Sequence, residues 1–497
     1  MFAEKIRNKI FYDKSTTIII LFLMVISISG GFIISTYENS LILIYGLFGI
    51  FFLLFLIIYP VWSLPIIISI WGIFHEFLEN EVIAGLNIFG LEINYSRATG
   101  LLIIIGILIS FIINKRVFSF MNDKIIRIYI LFEVWVFIIS VFLSPLNEGL
   151  SFLIRFSSGF IILLAFYSYI NTLRKLIIVS WIMVSFGCIN ALYTIIKYLA
   201  GTSNSFGFIN NLGLNSVSIS YFEGISRSSG IGGAFVSSGI LMVIIGFSLV
   251  LLDNVKKKNM RYLLYFSIVV LFLGIISTIT RTTIFGSIFL IILWSFLKNH
   301  GFTKKTIITI ILLGLLFVIS VQLFNSSSII NRLSDISGSM GLGWERIGNG
   351  RLGIWASILK LLWNLSPIKW IIGGGIGFSY SASMLVWGRA DPAHNQYIWL
   401  LAETGLVGII IYLAFIFSSF SRFINYIRSM YEQNVTKLNG LIALFISIYL
   451  IFAMLWDFSH NAVFSWFFLP AVGISLRLSI ITPDSTKRNV KENINDL

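Results

Sequence analysis

From Arg389 to Gly408 the chain reads RADPAHNQYIWLLAETGLVG, a polar loop that turns into an apolar helix within a few residues. His394 stands at the join, and Glu403 follows nine positions later, inside the apolar run. A histidine can take or release a proton near neutral pH. Three arginines accompany it from other parts of the chain: Arg227 in SRSSGIGG, Arg281 in ISTITRTTIFG and Arg351 in GNGRLGIW. Arginine keeps its charge and presents a planar fork that matches phosphate oxygens in pairs. Several arginines and one histidine, with no carboxylate dyad and no Walker loop, suit an anionic substrate and a single proton-transfer group. No metal is expected, because His75, His300, His394 and His460 lack ligand spacing and HExxH is missing. No other cofactor motif is present. Blander readings stand beside these. Arg281 could snorkel, or pair with an acid such as Asp457; His394 could simply cap a helix; Glu403 could be a polar bond in helix packing. Arg332, Arg346 and Arg389 lie near Asp335, Glu345 and Asp391 and read as solvated charge, and GGGIG at 373–377 reads as a flexible turn rather than a phosphate cradle.

The elements that must hold these groups are set by composition. Of 497 residues, 57% are hydrophobic and 11% are charged, and the mean hydropathy is +0.94. A soluble core of this length cannot hide that much apolar surface, so lipid is the solvent for most of it. The apolar stretches run to roughly 20 residues, the length at which a helix crosses a bilayer core. Alternating ten-residue segments are missing, which excludes an outer-membrane barrel. A lone cysteine, Cys188, excludes a disulfide within the chain. Fourteen spans are expected, at about 17–36, 40–59, 61–77, 98–114, 125–143, 151–170, 175–199, 231–252, 262–280, 282–297, 304–324, 397–420, 438–457 and 460–479. The first, from Thr16 to Ser35, lacks a small-residue cleavage site and reads as a retained signal anchor. The expected fold is an all-α polytopic integral membrane protein. Its segments are N-terminal spans (1–230), central spans (231–324), a large loop with the active-site residues (325–396), C-terminal spans (397–480) and a tail (481–497).

The net charge of +14 speaks first to topology, not to nucleic acid. Lys and Arg accumulate in cytoplasmic loops. With Lys5, Arg7, Lys9 and Lys14 inside, strict alternation puts every dense basic cluster inside as well: Lys115 to Arg127, Arg174-Lys175, Lys256 to Lys258, Lys298 to Lys305, Arg422 to Lys437 and the tail. Both termini are then cytoplasmic. The loops 78–97, 144–150, 200–230 and 325–396 face outward, with Arg227, Arg281, Arg351 and His394. In the last loop, Leu352 to Leu365 has helical periodicity and is expected to lie at the membrane surface.

HNQYIWLLAETGLVG resembles the His-Asn-x-Tyr…Glu-x-Gly-Leu-x-Gly signature of the O-antigen ligase and polymerase superfamily. SRSSGIGGAF is similar to its Arg-x-x-Gly stretch, TITRTT to its Ser/Thr-Arg hairpin, and GRLGIWASILKLL…IIGGGIGFS to its Gly-Arg…Trp segment with a glycine-rich turn. The resemblance covers roughly residues 220–420. Thr280 replaces a frequent Ser, and FVSSG stands where Pro-Asn commonly follows the Arg-x-x-Gly stretch.

The resemblance implies a GT-C-like, inverting, metal-independent glycosyltransferase of the bacterial inner (plasma) membrane. It implies a donor glycan on undecaprenyl diphosphate and transfer en bloc to an acceptor sugar hydroxyl on the outer face. His394 is then the catalytic base, Arg227, Arg281 and Arg351 bind the diphosphate, and Asn395, Tyr397 and Glu403 support them, Glu403 by positioning an arginine or the histidine loop. The partners are the lipid-linked donor, an acceptor glycan or lipid-linked glycan, membrane lipids and a chain-length regulator protein. Two activities fit, a surface-polysaccharide polymerase and a ligase that passes the finished chain to lipid A-core. The length favours the polymerase. A flippase for lipid-linked glycan would spread its charge along an internal path instead of gathering it at one face.

Overall fold

The computed structural model describes residues 53–80, 82–88, 91–113, 120–199, 220–222, 225–227, 234–278, 280–299, 301, parts of 303–315, 351–387, 393–431, 437–455 and 462–480. The chain runs α1 (Pro60–Asn80), β1 (Val82–Ile88), β2 (Leu91–Asn94), α2 (Tyr95–Ile113), α3 (Lys124–Phe142), α4 (Leu146–Tyr169) and α5 (Leu173–Leu199). It continues through β3 (Ser220–Phe222), β4 (Ile225–Arg227), α6 (Ala234–Asn254), α7 (Lys258–Ser277) and α8 (Arg281–Lys298). Three shorter helices follow: α9 (Arg351–Asn364), α10 (Pro367–Ile372) and α11 (Phe378–Trp387). The C-terminal part is α12 (Gln396–Tyr431), α13 (Asn439–Ser447), a π-helical segment (Ile448–Phe452), α14 (Ala453–Leu455) and α15 (Ala462–Leu478).

Seven of the described helices are long and apolar enough to cross a membrane, and four shorter apolar helices accompany them. The expected spans from 61 onward fall on these helices, apart from 304–324, which is only partly described. The spans 17–36 and 40–52, Arg332, Arg346, Arg389, Asp457 and the tail lie outside the described residues. Two short antiparallel ribbons, β1–β2 and β3–β4, add to the helices in segments that the hydropathy pattern marks only as loops. The helix at 397–420 proves longer than expected. α12 covers 36 residues with a kink at Gly405, and the part after the kink, 406–431, reaches about 39 Å, beyond a hydrocarbon core of about 30 Å.

Outside a polar stripe near the end of α12, the helices are predominantly apolar and turn apolar side chains outward, as a lipid solvent demands. Ile112, Phe142 and Phe266 are each more than 60% exposed, which water would penalise and lipid does not. Within the bundle, hydroxyls bond back to their own helices: Ser180 to Leu176 O, Ser248 to Ile244 O and Ser447 to Ala443 O. That keeps polar groups satisfied where no water reaches them. α15 packs closely against α4, where Gly473 sits so near Leu163 that a Cβ would lie 2.6 Å from its carbonyl oxygen.

The helix ends sort into two groups. At one end, Arg422 grips Asp123 with Nη1–Oδ2 at 2.5 Å and Nη2–Oδ1 at 2.7 Å. Tyr167 donates to the same carboxylate at 2.9 Å, and Asp123 caps α3 by accepting from Ile125 N. Also at this end, Lys298 pairs with Asp253 at 3.0 Å and Asn254 donates to Lys437 O. Burial works against the charged form of Asp123, but the Arg422 guanidinium outweighs it and holds the carboxyl below its ordinary value of 3.8. A depressed carboxylate adds stability above that ordinary value, and the contribution is lost as pH falls through the lower folded value. Asp123→Ala is expected to lower the unfolding free energy by about 2–3 kcal/mol, at or below the lower end for buried pairs because Arg422 keeps some solvent. Thermal unfolding at pH 7 and pH 3 checks this, since the gap between variant and wild type should narrow at the lower pH.

Candidate functional site

The opposite end of the bundle holds the loop before α12. Ala393 and Asn395 are both pinned, and His394 lies between them. The Trp355 indole of α9 donates to Ala393 O at 2.6 Å. The Asn395 side chain accepts from Tyr397 N at 3.0 Å and Ile398 N at 3.1 Å, which makes it the N-cap of α12, and it donates to Met454 O at 3.1 Å. The cap is therefore Asn395 and not His394. With both neighbours fixed, His394 takes φ +49°, and it is the only non-glycine at positive φ among the described residues. Such a conformation persists only where the surroundings over-determine it, and it gathers at functional sites.

Tyr397, one residue into α12, donates to Tyr449 O at 2.6 Å. Tyr449 belongs to the π segment, whose wider turn displaces the usual carbonyl partners. The π segment also packs against α8, the helix that Arg281 opens. The join before it is laced with threonine: Thr278 Oγ1 donates to Ile275 O and lies 3.0 Å from Thr280 Oγ1, and Thr283 Oγ1 donates to Thr280 O. These bonds close the ends of α7 and α8 without a charged group. Arg351 opens α9, one turn before the Trp355 that holds Ala393. The helix of Arg351 is thus tied to the His394 loop through Trp355, and the helix of Arg281 is linked to it indirectly, through the π segment. Arg227 is placed by its backbone on β4, opposite Ser220, on the segment that leads into α6. It is not tied to the other three by any described contact.

Neither α8 nor α9 carries an acidic residue in its first turn. An arginine there faces the positive end of the helix dipole, an unfavourable arrangement on its own. It becomes favourable once an anion sits at the same place and gains from both guanidinium and backbone N–H groups.

Glu403 departs from its expected role. Its Oε1 accepts from Ser379 N at 3.0 Å and from Ser379 Oγ at 2.5 Å. It caps α11 instead of positioning an arginine or the histidine loop. The glycine turn is likewise neither flexible nor a phosphate cradle. Gly373 N donates to Lys369 O, Gly374 N to Ala402 O, Gly375 N to Glu403 O and Ile376 N to Ser144 Oγ. Its amides are spent on protein, and the carboxylate of Glu403 holds the place where a bound anion would sit. The Glu-x-Gly pattern now has a physical reason. Gly405 breaks α12 at φ +70°, and a Cβ there would lie 2.3 Å from Ile371 O and 2.4 Å from Gly373 N. The kink admits the turn, and the carboxylate two residues earlier locks it. Glu403→Ala leaves two buried donors of Ser379 unpaired and is expected to cost about 2 kcal/mol. Glu403→Gln keeps an acceptor and should cost clearly less, as thermal unfolding of the two variants can show.

Sequence reasoning picked out the Gly-Arg…Trp stretch, but not that Trp355 anchors the histidine loop. It missed Ser379 altogether and held Gly405 only as a letter of the Glu-x-Gly signature, with no role. A hydroxyl two residues after a glycine run was the available signal for Ser379, and nothing local marked its partner 24 residues away.

The fold defines a multi-pass helical membrane protein, with a strained histidine at this end of the bundle and an arginine as the first residue of each of two helices linked to its loop. Residues 266–413 match a family model described as O-antigen ligase. The match contains Arg281, Arg351, His394 and Glu403 and leaves out Arg227. No curated protein matches the chain.

Proposed function

We propose that the protein is a bacterial surface-polysaccharide polymerase that moves a glycan en bloc from undecaprenyl diphosphate to an acceptor sugar hydroxyl on the outer face of the plasma membrane. What supports this reading is that Arg281 and Arg351 each open a helix, that one of these helices holds Ala393 through Trp355, and that the other packs against the π segment that accepts from Tyr397, while His394 takes φ +49°. The acceptor oxygen attacks the anomeric carbon from the side opposite the diphosphate. Its proton passes to His394, the bond from carbon to phosphate oxygen breaks, and the anomeric configuration inverts. The diphosphate leaves as an anion, so it needs cations and no acid. Arg281 and Arg351 supply them, with Arg227 as the third cation. Asn395 and Tyr397 hold the loop. A chain-length regulator protein would act on the growing product.

Fourteen spans with both termini cytoplasmic put this end outside. A cysteine introduced at Lys257, at the far end, should resist impermeant labels in intact cells, and labelling from outside would overturn the topology. The activity is tested with purified protein and a lipid-diphosphate-linked repeat unit. Products longer by whole repeat units support polymerisation. Transfer to lipid A-core with no elongation makes the protein a ligase, and no transfer in either assay overturns both.

A further inference from the structure

A cavity of about 650 Å³ opens at the end of the bundle opposite His394, between the start of α3 and the last third of α12. Its wall is a polar stripe on α12. Ser418, Ser421, Arg422 and Asn425 follow one another at helical spacing and face Lys124, the first residue of α3. Elsewhere on this helix and beside it, serines spend their hydroxyls on backbone: Ser419 on Phe415 O, Ser429 on Tyr426 O and Ser479 on Leu476 O. Among the described residues, Ser418, Ser421 and Asn425 have no such bond. Lys124 is exposed and forms no ion pair there either. The one carboxylate nearby, Asp123, is used up by Arg422, Tyr167 and Ile125 N. What remains is a donor-rich surface with a net charge of about +1, which asks for an anion rich in acceptors. A phosphate group meets that description.

The rim decides where the phosphate comes from. Phe417 lines the same cavity and is 65% exposed, and Ile424, on the neighbouring face of α12, is 46% exposed. A polar stripe bordered by outward apolar side chains lies where headgroups meet acyl chains. Basic clefts between membrane helices hold lipid headgroups in this way. We propose that the cleft between α3 and α12 binds the phosphate of an anionic membrane lipid, with Lys124 as its charged contact and Ser418, Ser421 and Asn425 as its hydrogen-bond donors. The site is remote from His394 and does not depend on the glycan-transfer reading.

The test uses the full-length protein in nanodiscs of phosphatidylcholine containing graded phosphatidylglycerol, with lipid binding read by native mass spectrometry and thermal unfolding by tryptophan fluorescence. Phosphatidylglycerol should bind and raise the midpoint, whereas phosphatidylcholine alone should not. Lys124→Gln should weaken phosphatidylglycerol binding about fivefold, the size of one lysine–phosphate attraction at a membrane surface. Ser421→Leu should weaken it further, and both side chains are exposed, so the fold should survive. Lys257→Gln, an exposed lysine at the same end but outside the cleft, is the control and should change nothing. Equal losses from Lys124→Gln and Lys257→Gln would mean general surface charge and would overturn the site. Inorganic phosphate that stabilises as much as the lipid, and loses its effect in Lys124→Gln, would make this a free-phosphate site and overturn the lipid assignment.

Discussion

Replacing His394 is expected to slow glycan transfer by roughly two orders of magnitude or more, because general-base assistance is typically worth about 10²–10⁴. The choice of variant matters, since the residue sits at φ +49°. Alanine in the left-handed region carries a penalty of about 1–2 kcal/mol, so His394→Ala mixes lost chemistry with a strained loop. Asparagine visits that region readily and cannot act as a base, so His394→Asn removes the proton acceptor and keeps the backbone. Both variants should bind the lipid-linked donor as wild type does, while turnover collapses. The wild-type rate should fall on the acid side of neutrality, because imidazolium has no lone pair with which to accept the hydroxyl proton. A wild-type rate in His394→Asn would end the case for the base, and the histidine would then serve only to shape the loop.

The second large effect is expected at Arg281 and Arg351. Alanine at either should reduce transfer by about 10²–10³, the range for losing one preorganised group that meets developing charge. Lysine should also perform poorly, because it restores the charge but not the two parallel donors. The two helix openings make the loss specific. Each arginine adds to the positive end of its own helix, and a shorter, mobile ammonium cannot reach the same two oxygens from that anchor. The measurement is polymer made in cells at matched protein level, together with turnover of purified protein. Full polymer from both lysine variants would leave a general electrostatic role and remove the clamp.

Much of the site can be read in the linear chain because its parts are local. Arg281 and Arg351 each open a helix, and His394 sits at a polar-to-apolar junction. The helices themselves announce their length, since lipid forces the backbone to bond within one segment and so demands long apolar runs. Glu403 shows where local reading stops. An acid buried nine residues behind a histidine invites a link between the two, yet its partner is Ser379, brought in by a fold-back of the chain through the glycine turn. The same turn looked like a loose loop because glycine permits many conformations. Its amides turned out to be committed to Lys369, Ala402, Glu403 and Ser144, of which the last lies more than 200 residues away.

By itself, then, the sequence determined that this chain has the make-up of a multi-pass membrane protein and where its long apolar helices lie, and it picked out side chains whose chemistry suits an anion and a proton. Those properties follow from composition, periodicity and the chemistry of single residues. Only the tertiary structure decided that Asn395 and not His394 caps α12, and that Trp355 and Met454 hold the loop from both sides. Only it decided that a π turn lends Tyr449 O to Tyr397, and that Glu403 is a lock on α11. The physical reason is that each of these is a hydrogen bond between segments far apart in the chain. Such a bond forms only after packing has removed water and brought a donor and an acceptor within 3 Å or so of each other.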